Sequence, residues 1–170
     1  WIAFDEDNLY VAAHLFDARP SGIIGLLGRR DDLTDSDWFY FAIDPYLDRR
    51  SGYLFAVNPA GSRSDGTLSN DETLDLTWDG IWDAKARIRE DGWSAEIRIP
   101  FKTISFKPGL SVWGLNIERY VARKQETFER RSFATSALAR ARSAPRRAAS
   151  SVLASAVISR PAAARTSPIL

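Results

Sequence analysis

Two alternating segments, Trp82 to Arg89 and Trp93 to Pro100, constrain the fold of this chain more than any other feature. In the first, Trp82, Ala84, Ala86 and Ile88 fall on one side, and Asp83, Lys85, Arg87 and Arg89 on the other. In the second, Trp93, Ala95, Ile97 and Ile99 oppose Ser94, Glu96 and Arg98. Period-two alternation is the mark of strands with one buried and one wet face. The intervening Glu90-Asp91-Gly92 places an Asp-Gly where a tight hairpin turn needs positive φ. Half-buried antiparallel sheet follows, and an all-β fold with it.

The rest of the body repeats this grammar. Leu9 to Phe16 alternates, with Leu9, Val11, Ala13 and Leu15 on one face and His14 on the other. Trp38 to Ile43 is aromatic and apolar throughout, as expected of a strand buried on both faces. Asp44 to Gly52 reads as a polar loop, and Tyr53 to Asn58 as the returning strand. Arg63 to Leu68 is a further short strand, Asn70 to Gly80 a polar loop carrying Trp78, and Phe101 to Ile104 one helical turn. Val112 to Val121, with Trp113, Leu115, Ile117 and Val121 spaced by twos, closes the series. Strands at such intervals predict an antiparallel β-sandwich of jelly-roll or immunoglobulin-like type.

Charge divides the 170 residues in two. Residues 1–131 hold 17 basic and 22 acidic residues, a net of −5; residues 132–170 hold six basic residues and no acid. The first part is expected to be one folded domain. The second is dominated by Ala, Ser, Arg and Pro without sustained period, a composition that buries too little apolar surface to offset ordering entropy. It reads as a disordered tail or as non-native sequence. No apolar run approaches the roughly 18 residues of a membrane helix. With no cysteine, disulfides and thiolate metal sites are excluded. The opening at Trp1, without methionine or signal peptide, suggests a fragment or processed piece.

Few residues point to catalysis. The one histidine, His14, has no evident nucleophile and acid on either side of it, as a triad requires. Paired carboxylates for glycoside hydrolysis could be drawn from Asp31, Asp32, Asp35, Asp37, Asp44, Asp48, Asp79 and Asp83, most of them in loops where a solvated acid is the default. The oxygen-rich run Asp31-Asp32-x-x-Asp35-x-Asp37 is of a kind that calcium accepts, with Asp31, Asp32 and Asp35 as candidate ligands; a solvated turn or a backbone cap explains it equally. No glycine-rich phosphate loop is present, and Arg29-Arg30, Arg49-Arg50, Arg123-Lys124 and Arg130-Arg131 are interleaved with acids, against a nucleic-acid footprint. Trp82, Trp93 and Trp113 sit in phase with aliphatic residues and are expected in the core. Trp78 and Tyr46 lie in polar loops, and Trp38 lies where a loop enters a strand. Aromatic faces beside acids and amides are how sheets grip sugar rings, although a loop tryptophan also plugs a sandwich end.

The segments Asp31-Asp-Leu-Thr-Asp-Ser-Asp-Trp38, Ala42 to Gly61 and Gly92-Trp-Ser-Ala-Glu-Ile-Arg-Ile-Pro-Phe101 carry a specific resemblance. So do the opening Trp1-Ile-Ala-Phe-Asp-x-x-Asn-Leu-Tyr-Val11 and the late Trp113-Gly-Leu-Asn-x-x-Arg119. Taken in order over residues 1 to about 131, they resemble the family 9 carbohydrate-binding module-like domain. More specifically, they resemble the version found at the N-terminus of bacterial proteins with a predicted outer-membrane β-barrel. The resemblance implies a β-sandwich, a periplasmic, outer-membrane-associated or extracellular location, glycan binding alongside polysaccharide catabolism by other domains, and structural calcium. A non-catalytic domain for an oligo- or polysaccharide is therefore expected. Trp38, Trp78 and Tyr46 would stack on sugar, and Asp37, Asp44, Asp48, Arg49 and Arg50 would bond hydroxyls. The alternative is a structural domain attached to the barrel, without sugar affinity.

Overall fold

The structure, a computed structural model, describes residues 1–70, 73–110 and 112–131; the predicted tail, 132–170, lies outside the described residues. Ten strands run in chain order: β1 (Ile2–Phe4), β2 (Asn8–Phe16), β3 (Trp38–Asp44), β4 (Ser51–Val57), β5 (Arg63–Ser69), β6 (Thr73–Asp75), β7 (Asp83–Arg89), β8 (Gly92–Pro100), β9 (Gly114–Val121) and β10 (Glu126–Arg131). They form two antiparallel sheets, a four-stranded one in the order β1-β2-β8-β7 and a six-stranded one in the order β10-β9-β3-β4-β5-β6. The expected sandwich is the observed fold. Among the described residues the helical elements are three-residue 3-10 turns, including Phe101–Thr103 where one turn was expected. No helix among them is long and apolar enough to cross a membrane.

The alternating segments fold as their pattern dictates. Trp93, Ala95, Ile97 and Ile99 of β8 are at most 2% exposed, while Glu96 and Arg98 face water. They meet Leu9, Val11 and Leu15 of β2 and, across the sandwich, Phe39, Phe41 and Ile43 of β3 with Phe55 and Val57 of β4. Burying each large side chain contributes about 1.5–3 kcal/mol. The edge strand β7 is less protected: Ile88, in phase with the core, remains half exposed.

β3 hides both its faces, as its unbroken apolar run predicts. Its odd-numbered residues join the inter-sheet core, while Trp38, Tyr40 and Ala42 pack with Leu54, Ala56 and Leu68 on the opposite face. Gly92 answers to a constraint that the hairpin alone does not explain. The two turn residues are Glu90 and Asp91, and Gly92 opens β8 at φ 149°. A Cβ there would drive into the Leu15 carbonyl of β2, so glycine is demanded by the neighbouring strand.

Three strands escaped the periodicity: β1, β6 and β10 lie at sheet edges, and β1 and β6 are three residues long. Truncating Trp93 to Ala opens a cavity in the fully buried centre and is expected to cost about 3–5 kcal/mol of stability, read from urea unfolding.

Candidate functional site

The end of β3 and the β3–β4 loop hold five of the residues expected to grip sugar, and their acids serve the loop itself. Asp44 is buried, and its Oδ1 accepts the Tyr46 and Asp48 amides at 3.1 and 3.3 Å while its Oδ2 accepts the Arg49 amide at 2.8 Å. Asp48 takes the Arg50 and Ser51 amides and the Ser51 hydroxyl, each at 2.8 Å. Desolvation would raise the Asp48 carboxyl, but these donors hold it below its ordinary value. Such caps stabilise a turn that carries Leu47 and Arg49 at φ 54° and 59°. The loop leaves Tyr46, Arg49 and Arg50 on the surface.

The tryptophan platform does not assemble as expected. Trp38 is 1% exposed, with Nε1 donating to the Thr34 carbonyl, so neither ring face is open to a sugar. Alternation places it on the outer side of β3, where it packs on Tyr40 and beside Tyr120 of β9. Asp37 is sealed beside it, with Oδ1 accepting the Ala122 amide. Desolvation pushes its carboxyl above the ordinary value, against the opposing pull of that amide and of the Arg119 and Arg123 charges. Trp78 closes one end of the core, ring against Tyr53 at 5.0 Å and edge to Phe55 at 6.1 Å, half-buried. That is the plugging role a loop tryptophan can take.

The acidic run also regroups. Asp31, at φ 63°, meets Asp65 of β5 and Asp79, with one oxygen of each within 4.8 Å of the others; Asp32 and Asp35 stay exposed outside the group. Arg30 lies among the three carboxylates. Its Nε is 2.7 Å from Asp65 Oδ1, 3.1 Å from Asp79 and 3.8 Å from Asp31, and its Nη2 donates to the Gly80 carbonyl at 2.6 Å. Asp65 is wholly buried and its Oδ2 accepts the Gly80 amide. The positive charge that three carboxylates demand is therefore supplied by a guanidinium. While Arg30 is there, the group does not fit a divalent ion.

Among the described residues one broad side-chain array remains open: the outer face of the four-stranded sheet. Pairing register sets its rows, Tyr10–Arg98–Asp83, Ala12–Glu96–Lys85, His14–Ser94–Arg87 and Phe16–Gly92–Arg89, running from β2 through β8 to β7. Trp1 joins beside Ala12 through paired main-chain bonds and is 98% exposed. Phe16 is 68% exposed, with its ring 4.3 Å from that of His14. His14 Nε2 lies 3.0 Å from Asp91, Tyr10 donates to Asp5 at 2.8 Å, and Arg89 Nε donates to Ser94 at 3.1 Å. Rings line the β1–β2 half and cations the β7 half. Sequence alternation had put His14 on the wet face; that Phe16 and Arg89 flank the same glycine follows only from strand pairing.

Two substitutions check these electrostatics. Arg30→Ala leaves the buried Asp65 charge unpaired and is expected to lower stability by about 3 kcal/mol in urea unfolding. Calcium should then restore part of the loss, because the freed oxygens suit a hard cation, while the parent's melting temperature ignores calcium and chelator alike. For Asp37, the raised carboxyl value means that the folded chain binds the proton more tightly than the unfolded one. Stability from this group is present at low pH and lost as pH rises through the raised value. Asp37→Asn, which keeps an acceptor for Ala122, should therefore gain on the parent most at pH 7 and converge with it near pH 4.

No family model matches the chain, and no curated protein does. Among solved structures it is similar to the carbohydrate-binding module family 9 from Caldicellulosiruptor kristjanssonii, in complex with glucose and in complex with cellotriose. Both comparisons give 18% identity and a TM-score of 0.46, over 70% and 75% of this chain. The chain covers 56% and 60% of those chains, less than two thirds of their length.

Proposed function

We propose that this chain is a non-catalytic carbohydrate-binding domain of an exported bacterial protein, accessory to polysaccharide breakdown carried out elsewhere. The observation that carries the reading is the open face of the four-stranded sheet, where exposed rings stand beside unburied hydrogen-bonding groups. Ring faces pack on pyranose C–H groups while neighbouring polar side chains bond hydroxyls. A hydrolase would need a desolvated acid within reach of substrate. The carboxyl that burial raises among the described residues, Asp37, is sealed from solvent and faces the Ala122 amide.

A second reading, a structural domain attached to an outer-membrane barrel, draws on the β3–β4 loop. Asp44 and Asp48 are committed to the loop's own amides, as an internal brace would be.

Calorimetric titration of the folded chain with a panel of soluble oligosaccharides separates the two. Saturable heat with at least one sugar, without release of a chromophore from aryl glycosides, is expected for the binding domain. A flat response across the panel from protein with a native near-ultraviolet spectrum assigns the structural role. Aryl-glycoside turnover abolished by a single carboxylate substitution would overturn the non-catalytic assignment.

A further inference from the structure

The open sheet face is asymmetric in the placement of its unpaired charges. Two of its acids are already committed: Asp83 to Arg98 and Arg63, and Asp91 to His14. Lys85, Arg87 and Arg89 meet no carboxylate within 4.0 Å among the described residues; Glu96 stands in the Lys85 row, and the exposed Glu90 follows Arg89 in the turn. Cations on a surface strand usually meet opposite charges across the ladder. Here two successive rows, His14–Ser94–Arg87 and Phe16–Gly92–Arg89, present an aromatic ring at one end and an arginine at the other.

Gly92 stands at the centre of the second row. It is itself buried, and the main chains of Phe16 and Arg89 on either side of it lie two strand spacings, about 10 Å, apart. The Arg89 guanidinium is aimed across β8 by its bond to Ser94. A sugar ring spanning this row from above would put its C–H face on the exposed Phe16 ring and a C6 substituent toward the guanidinium.

Resting on the carbohydrate-binding reading, we propose that this face takes an acidic polysaccharide, a chain of uronate sugars. Phe16 is the stacking platform, and Arg87 and Arg89 bind the carboxylates of successive residues. Arginine suits the task because its planar fork matches a carboxylate with two parallel hydrogen bonds. The aromatic component separates this from simple polyanion attraction, which needs no exposed phenyl ring.

Affinity electrophoresis of the full chain through gels containing polygalacturonate, a neutral glucan, or dextran sulfate tests the proposal, with Phe16→Ala and an Arg87→Gln/Arg89→Gln pair as variants. All three side chains are exposed, so the variants should keep the parent's near-ultraviolet spectrum. The expected result is retardation by polygalacturonate that each variant weakens by about tenfold or more, equivalent to ~1.4 kcal/mol. Polygalacturonate that leaves the folded parent unretarded overturns the proposal. So does retardation that dextran sulfate matches and Phe16→Ala leaves unchanged, which is ion exchange. If the neutral glucan retards parent and variants alike while polygalacturonate does not, the carbohydrate reading stands and this face falls. If no gel retards the parent, and the oligosaccharide titration is also flat, both fall.

Discussion

The structure depends on β3 having both faces to hide. All seven residues from Trp38 to Asp44 are buried, so this strand cannot lie at an edge or beneath a solvated surface. It sits inside the six-stranded sheet between β9 and β4, with one face against the four-stranded sheet and the other in its own apolar cluster. The polar residues that bracket it inherit that burial. Asp37 enters it without access to water, and Asp44 leaves it by binding three amides of the following turn.

A sandwich with little helical cover must close its ends with loops, and loops carry backbone polar groups that need partners. Charged side chains fill that need here. Asp17, just beyond β2, binds Arg123 at 2.7 Å and Arg119 at 3.3 Å, joining the four-stranded sheet to the end of β9. Arg30 performs the same service at another end, tying the segment before β3 to β5 and to Gly80. Arg30 takes Asp31 in this way, while Asp44, Asp48 and Asp37, also candidates for a ligand, are taken by backbone amides. An aspartate in a polar loop is as available to its own backbone as to a metal or a hydroxyl, and proximity in the chain favours the backbone.

With one face of the six-stranded sheet turned into the core and the other covered at β3, the four-stranded sheet keeps the broad free surface. Its inward residues are committed to packing, and its outward residues carry little structural duty. That division is what permits a binding face: side chains there can be chosen for a ligand without cost to the core. The exposed Phe16 ring on this surface lies outside the core and is free to meet a ligand.

The strands whose alternation is long and clean were legible from residue order, because a period of two reports burial directly. β8 and β2 appear with the faces expected of them, and β3 with both faces dry. The short edges β1 and β6 gave no such signal, since three residues cannot display a period. The site was less legible. Trp38 reads as a loop-mouth aromatic, yet the segment around Thr34 folds back to bind its indole and bury it. Asp31 reads as a partner of Asp32 and Asp35, yet its neighbours are Asp65 and Asp79, 34 and 48 residues away along the chain.

Sequence alone determined which residues share a strand face, and hence the sandwich, the dry strand and the tryptophan core, because side-chain direction along a strand is fixed by local geometry. Tertiary structure decided which faces lie side by side. Only the antiparallel order β1-β2-β8-β7 brings Phe16, Gly92 and Arg89 into one row, and only the fold of the loop onto β5 sets Arg30 among three carboxylates. Strand neighbours are chosen by the burial of the whole sheet, a sum over many residues that no single segment encodes.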